Sequence, residues 1–132
     1  MLKNSQNTTK LNGDGFNRIF KASLCSLKGF RAAYKHEAAF RQESWLCLLL
    51  FSISFEITSS PKDWLFLICT LMFLLFAEIV NSAIEVLSDK ITTEHDELIG
   101  RAKDLGSAAV FIAMTIVVLV WGVYIFQYIT NM

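Results

Sequence analysis

The segment EIVNSAIEVLSD, Glu78 to Asp89, places its polar side chains at helical intervals inside an otherwise apolar stretch. On a helix of about 3.6 residues per turn, Glu78, Asn81, Ser82, Glu85 and Asp89 fall within about 100° of arc. Ile79, Val80, Ile84 and Leu87 take the other side. The helix is polar along one stripe, and Glu78, Glu85 and Asp89 put three carboxylates on it. A charged side chain at the centre of a bilayer costs roughly 2.5–3.5 kcal/mol on insertion scales. Two or three of them are not kept facing lipid, so they must face protein, water or a bound cation. Interhelical hydrogen bonding alone would account for Asn81 or Ser82, but it accounts poorly for Glu78 and Glu85 together. Carboxylates two turns apart on one face suit a hard cation or proton handling.

Two further clusters carry chemistry-bearing residues. EAAFRQE, Glu37 to Glu43, puts Glu37 at the junction between a basic segment and an apolar one, at a depth comparable to Glu85. In GRAKDLGS, Gly100 to Ser107, Lys103 and Ser107 are four apart and share a helical face, with Asp104 beside them. Gly100 and Gly106 permit close backbone approach. Arg18 and Lys103 are cationic candidates for phosphate. Acidic metal-ligand candidates, phosphate-binding cations and an apolar surround fit phosphoryl transfer at a membrane surface, which needs Mg²⁺, positioned charges and a base for the attacking hydroxyl. No Walker-type loop and no protein-kinase signature occurs, so a nucleotide site here must be built differently from both common kinase folds. Cys25, Cys47 and Cys69 are odd in number and widely spaced, and they read as small apolar packing residues rather than a metal site or disulfide framework.

The elements that must position these residues are helices in a membrane. The 132 residues are 54% hydrophobic and only 18% charged, too apolar for a soluble domain of this size. The ten residues MLKNSQNTTK are polar and carry no cleavable signal pattern, and residues 1–14 read as a disordered tail ahead of a single domain, 15–132. From about Phe16 to Lys35, apolar Phe16, Ile19, Phe20, Leu24, Leu27 and Phe30 recur at helical spacing among Arg18, Lys21, Lys28, Arg31 and Lys35. That is the pattern of a helix lying in the interface near anionic headgroups. Trp45 to Ile57 is largely apolar but short of the about 20 residues that a span needs. Extension back through Ala38 supplies the length and brings in Arg41, Gln42 and Glu43; a re-entrant segment is the alternative. A third segment, about Lys62 to Asp89, starts at a marked N-terminus, with Ser60 as N-cap, Pro61 at the first helical position and Asp63 three residues on, and with Trp64 as an interface anchor. The fourth, about Gly106 to Ile129, has no charge, and Trp121, Tyr124 and Tyr128 form an aromatic belt near its end. Eight of the 12 Lys and Arg residues precede Ser44, and three lie between Asp89 and Lys103. Positive-inside then places the N-terminus and the 89–103 loop in the cytoplasm, with three spans.

On GFNRIFKA (Gly15 to Ala22), KGFRAA (Lys28 to Ala33), EAAFRQE, EIVNSAIEVLSD and GRAKDLGSAAV (Gly100 to Val110), the chain resembles the prokaryotic diacylglycerol kinases, from about Gly15 to Phe126. The resemblance implies an all-α membrane protein with three transmembrane helices and an N-terminal amphipathic interfacial helix, assembled as a homotrimer in the bacterial inner membrane. It implies ATP-dependent phosphorylation of diacylglycerol or a related lipid alcohol to phosphatidic acid, with no nucleic-acid partner. By the same resemblance Glu78 is the catalytic base, and Glu37 and Glu85 hold Mg²⁺ that bridges to ATP. Arg18, Cys25, Glu94, His95, Asp96, Lys103 and Asp104 match nucleotide-contacting positions together with the metal pair. Ala22, Arg31, Gln42, Glu43, Asn81, Ser107 and Trp121 match positions that support the active site or contact lipid. Departures fall at Cys25, where a tyrosine is usual, and in Glu94–Glu97, where Asp96 stands in place of a histidine. Undecaprenol kinase on the same scaffold is the alternative within the class. A proton-coupled transporter is the alternative outside it, disfavoured because the last span holds no ionisable residue and the carboxylates gather at one side.

Overall fold

A computed structural model describes residues 15–91 and 96–132. It consists of α1 (Phe16–His36), α2 (Ala38–Ile57), α3 (Pro61–Ile91) and α4 (Glu97–Thr130), with no strand among the described residues. The expected tail, 1–14, lies outside them. The chain divides into two compact units, the first ending at Ala32 and the second spanning Ala33–Met132. In the first unit α1 is the amphipathic helix that the spacing predicts, with Phe16, Ile19, Phe20, Leu24, Leu27 and Phe30 all exposed.

The second unit begins at a corner. Only Glu37 leaves helical geometry between α1 and α2, with φ −102° and ψ 116°. The last carbonyls of a helix lack intrahelical donors. Here Arg41 Nη1 donates to Tyr34 O and Lys35 O, each at 3.2 Å, and so ties the end of α1 to the first turn of α2. The Glu37 side chain makes no capping bond, so its carboxylate is not committed to the helix that it starts.

α2 is one continuous helix of 20 residues, about 30 Å long and comparable to the hydrocarbon thickness of a bilayer. Arg41, Gln42 and Glu43 lie within it, as the extension back through Ala38 expects. α3 and α4 are both long and apolar enough to cross a membrane. α2 has the length but carries Arg41, Glu43 and Glu56. α3 starts where the sequence marks it: Ser60 Oγ accepts from Asp63 N at 3.5 Å, and Trp64 N bonds Ser60 O at 2.9 Å. The expected 89–103 loop is shorter than the charge pattern suggests. α3 continues to Ile91 and α4 already begins at Glu97, because Asp96 caps α4, its Oδ1 accepting from Leu98 N at 2.9 Å and Ile99 N at 3.0 Å.

α3 packs chiefly along α4 and next along α2. Leu67, Leu71, Leu74 and Ala77 of α3 meet Ala113, Val117 and Trp121 of α4 and Cys47 of α2. The outward faces carry Phe66, Phe73, Phe76, Phe111, Val118 and Leu119, all exposed. Buried between the helices are Glu43, Ser54, Thr70, Glu78, Asn81, Ser82 and Ser88. Large apolar side chains cover the outward faces while several polar ones are buried beside the apolar core, unlike the arrangement of a soluble protein; the fold is that of a helical membrane protein.

Trp121 corrects one expectation. It is 2% exposed, and its indole Nε1–H donates to Thr70 Oγ1 at 3.0 Å, while the Thr70 hydroxyl donates to Leu67 O at 2.7 Å. A buried indole needs an acceptor, and Thr70 supplies it inside the bundle, so Trp121 is no belt residue. Tyr124 also turns inward, its hydroxyl donating to Asp63 Oδ1 at 3.0 Å. Trp121→Phe keeps much of the ring and deletes the bond. It is expected to cost about 1 kcal/mol, read as a lowered midpoint of thermal unfolding in detergent micelles.

Candidate active site

The α3 stripe faces protein, as its arc requires. Glu78 is 3% exposed, Asn81 and Ser82 are buried with it, Glu85 is half-buried and Asp89 is exposed. Along the stripe itself exposure rises from Glu78 to Asp89, while neighbouring Ser88 stays buried.

Four carboxylates gather on this side of the second unit. Glu43, buried on α2, is repelled by Glu78; Glu78 is repelled by Glu85 and then by Glu37. Among the described residues the ion pairs are Arg101–Glu97 at 3.2 Å and Lys103–Asp89 at 3.0 Å; none of the four carboxylates takes part in either, and Lys103 lies only within longer electrostatic reach of Glu85. Glu43 Oε2 is buried without a hydrogen-bond partner, as are Asn81 Oδ1 and Ser82 Oγ. An acidic cluster so little compensated draws in protons or a cation. No three His, Cys, Asp or Glu side chains among the described residues converge on one point as a metal cage. Magnesium usually takes one or two carboxylates and completes its shell with substrate phosphates and water, so oxygen donors of this kind fit it without a cage.

α4 completes the site. Its glycine at 106 is buried against α3, and a Cβ there would overlap Asn81 Oδ1. Asn81 Nδ2 donates to Glu85 Oε1 at 3.0 Å. Gly100 has nothing within reach of a Cβ, so of the two glycines expected to permit close approach only Gly106 does. Lys103 Nζ holds Asp89 Oδ1, which joins the ends of the stripe and the GRAKDLGS cluster. Asp104 and Ser107 are exposed on α4, and Gln42 is exposed on α2.

The remaining expected site residues lie elsewhere. Arg18, Ala22, Cys25 and Arg31 are exposed on α1 within the first unit. Asp96 is exposed and spends Oδ1 on its cap. Trp121 sits in the core, about 22 Å along α4 from Gly106. Glu94 and His95 lie outside the described residues.

The family described as "Prokaryotic diacylglycerol kinase" matches residues 24–125, a stretch that contains Glu37, Glu43, Glu78, Asn81, Glu85 and Gly106. The chain belongs to the prokaryotic diacylglycerol kinase family. It is 44% identical over 117 residues to the diacylglycerol kinase of Escherichia coli K12, covering 89% of this chain and 96% of that one. It is 39% identical over 112 residues to that of Haemophilus influenzae, covering 85% and 95%. With the diacylglycerol kinase of Pseudomonas aeruginosa the identity is 39% over 108 residues, covering 82% and 88%. As a member of this family the protein is a lipid kinase, and the buried carboxylates belong to an enzyme.

Three contributions to this candidate site escape a reading of the sequence: the Arg41 bonds that set the corner at Glu37, the Lys103–Asp89 pair and the contact of Gly106 with Asn81. The first has no signal in side-chain pattern, because its acceptors are backbone carbonyls. The second and third required knowing which face of α4 meets α3.

Proposed function

We propose that this chain transfers the γ-phosphoryl group of ATP directly to diacylglycerol, giving phosphatidic acid and ADP at the cytoplasmic face of the bacterial inner membrane. The observation that carries the reading is Glu78, a carboxylate buried in the bundle with Glu43 and Asn81 and with no cation paired to it among the described residues. The name that the relatives share supports the choice of lipid.

In this mechanism the lipid hydroxyl gives its proton to Glu78 as its oxygen bonds to the γ-phosphorus, and the bond from that phosphorus to the oxygen of ADP breaks. Glu37 and Glu85 are the residues that would hold magnesium, which would supply neutralisation of the charge on the phosphates. Arg18, Lys103 and Asp104 are the proposed contacts to nucleotide. Asn81 donates to Glu85 and so keeps one carboxylate oxygen in a fixed direction. The basic N-terminal third and the Lys90–Lys103 charges on the cytoplasmic side follow from the positive-inside bias, with α2 as the third span. A homotrimer would close the site from neighbouring copies.

The test is an ATP-dependent phosphorylation assay with purified protein in mixed micelles, run in parallel on diacylglycerol and undecaprenol. Phosphatidic acid formation that requires ATP and outpaces undecaprenol phosphorylation is expected. Faster turnover of undecaprenol would replace the substrate assignment, and proton-coupled flux in liposomes without ATP would replace the enzyme class.

A further inference from the structure

Among the glycines of the described residues, Gly106 alone has neighbours where a Cβ would stand. Gly15, Gly29, Gly100 and Gly122 face open space at that position. A glycine inside a helix costs about 1 kcal/mol against alanine, so a buried one on α4 calls for a reason in its packing. The reason is the Asn81 amide. The built Cβ overlaps Oδ1 and comes within 3.4 Å of both Asn81 Cγ and Ile84 Cδ1. A glycine hydrogen occupies that direction instead, and Oδ1 lies against it with no other partner. With Oδ1 held toward α4, Nδ2 is turned toward Glu85 Oε1, to which it donates at 3.0 Å. A larger residue at 106 would push the amide out of this arrangement and take the donor away from Glu85.

We propose that Gly106 is a positioning residue of the kinase site, which acts through Asn81 to orient the Glu85 carboxylate toward a divalent cation. The inference rests on the reading of Glu85 as a metal-side carboxylate. It adds a chain of dependence in which a backbone position on one helix sets the cation affinity of a side chain on another. Outer partners that orient a metal ligand are worth about 10–100-fold in metal affinity, so Gly106→Ala is expected to weaken binding by about tenfold, and Asn81→Ala by a similar factor.

The measurement is Mn²⁺ binding to the full chain in micelles with a non-hydrolysable ATP analogue, followed by electron paramagnetic resonance, which needs no turnover. In a double-mutant cycle, Gly106→Ala should weaken Mn²⁺ binding in the parent but not in the Asn81→Ala background, where the overlapping amide is gone. A further loss of about tenfold in that background would overturn the inference, because Gly106 would then act independently of Asn81. So would parent-like affinity in Gly106→Ala. If Gly106→Ala alone does not assemble, the comparison of Asn81→Ala with and without Gly106→Ala decides: equal affinities are expected, and a difference overturns the proposal. Glu85→Gln serves as the control on the underlying reading. Unchanged Mn²⁺ affinity in that variant removes Glu85 from the metal side, whereas weakened affinity there with none in Gly106→Ala removes only Gly106.

Discussion

Glu78→Gln is expected to slow phosphoryl transfer by about 10²–10⁴-fold, the range that a positioned general base contributes. The substitution is nearly isosteric, so the packing around a residue only 3% exposed is retained, and the amide can still meet the lipid hydroxyl. What disappears is the capacity to take its proton. The same change removes one negative charge from a group in which Glu78 is repelled by Glu85 and Glu37 and itself repels Glu43. Stability is therefore expected to hold or rise while turnover collapses, the opposite signs characteristic of an active-site residue kept at a cost to the fold. Turnover in mixed micelles and the midpoint of thermal unfolding, measured on the same preparation, read the two effects separately. A variant that retains activity within tenfold of the parent takes the base role away from Glu78. A variant that loses activity and stability together makes the residue structural.

The parts of this molecule that could be read from its sequence are those where polarity breaks a symmetry. α3 has one polar stripe, so its rotational phase is fixed before any partner is known, and Glu78, Asn81 and Ser82 are buried as that phase requires. Its start was legible for a similar reason, because Ser60 and Pro61 suit a helix N-terminus and little else. α4 has no such asymmetry. From Gly106 to Ile129 it is free of charge, and every face is apolar enough for lipid or for a neighbouring helix. Trp121 therefore read as an interface anchor until Thr70 was seen to accept its N–H, and Gly100 and Gly106 read alike until one of them met Asn81. Asp96 is a different case. An aspartate followed by Glu97 and an apolar pair is a good helix start, but the density of charge between Asp89 and Lys103 made the region read as loop. The corner at Glu37 was beyond reach, since Arg41 makes it by donating to backbone carbonyls.

Glu85→Gln, and to a lesser degree Glu37→Gln, is expected to raise the Mg²⁺ concentration for half-maximal turnover by at least about tenfold, since a ligand should matter no less than the partners that orient it. Removal of divalent cations with a chelator is expected to abolish turnover in the parent, and excess Mg²⁺ to restore it. A loss of activity alone would not separate a metal ligand from any other damaged residue, but stability does. Without cation, Glu85 and Glu37 both oppose the charge on Glu78, and the attraction of Glu85 to Lys103 is screened at that solvent-exposed amine, so either glutamine relieves repulsion and the cation-free protein should unfold no earlier than the parent. With saturating Mg²⁺ and an ATP analogue the order reverses. A ligand stabilises the fold by an amount logarithmic in its concentration over its dissociation constant, so tenfold weaker binding forfeits about 1.4 kcal/mol of that stabilisation. The two curves should cross as cation is added. Curves that stay parallel would mean that neither carboxylate holds the ion. The crossing thus tests whether the repulsion stored among four carboxylates in one small membrane protein is the same free energy that the cation recovers on binding.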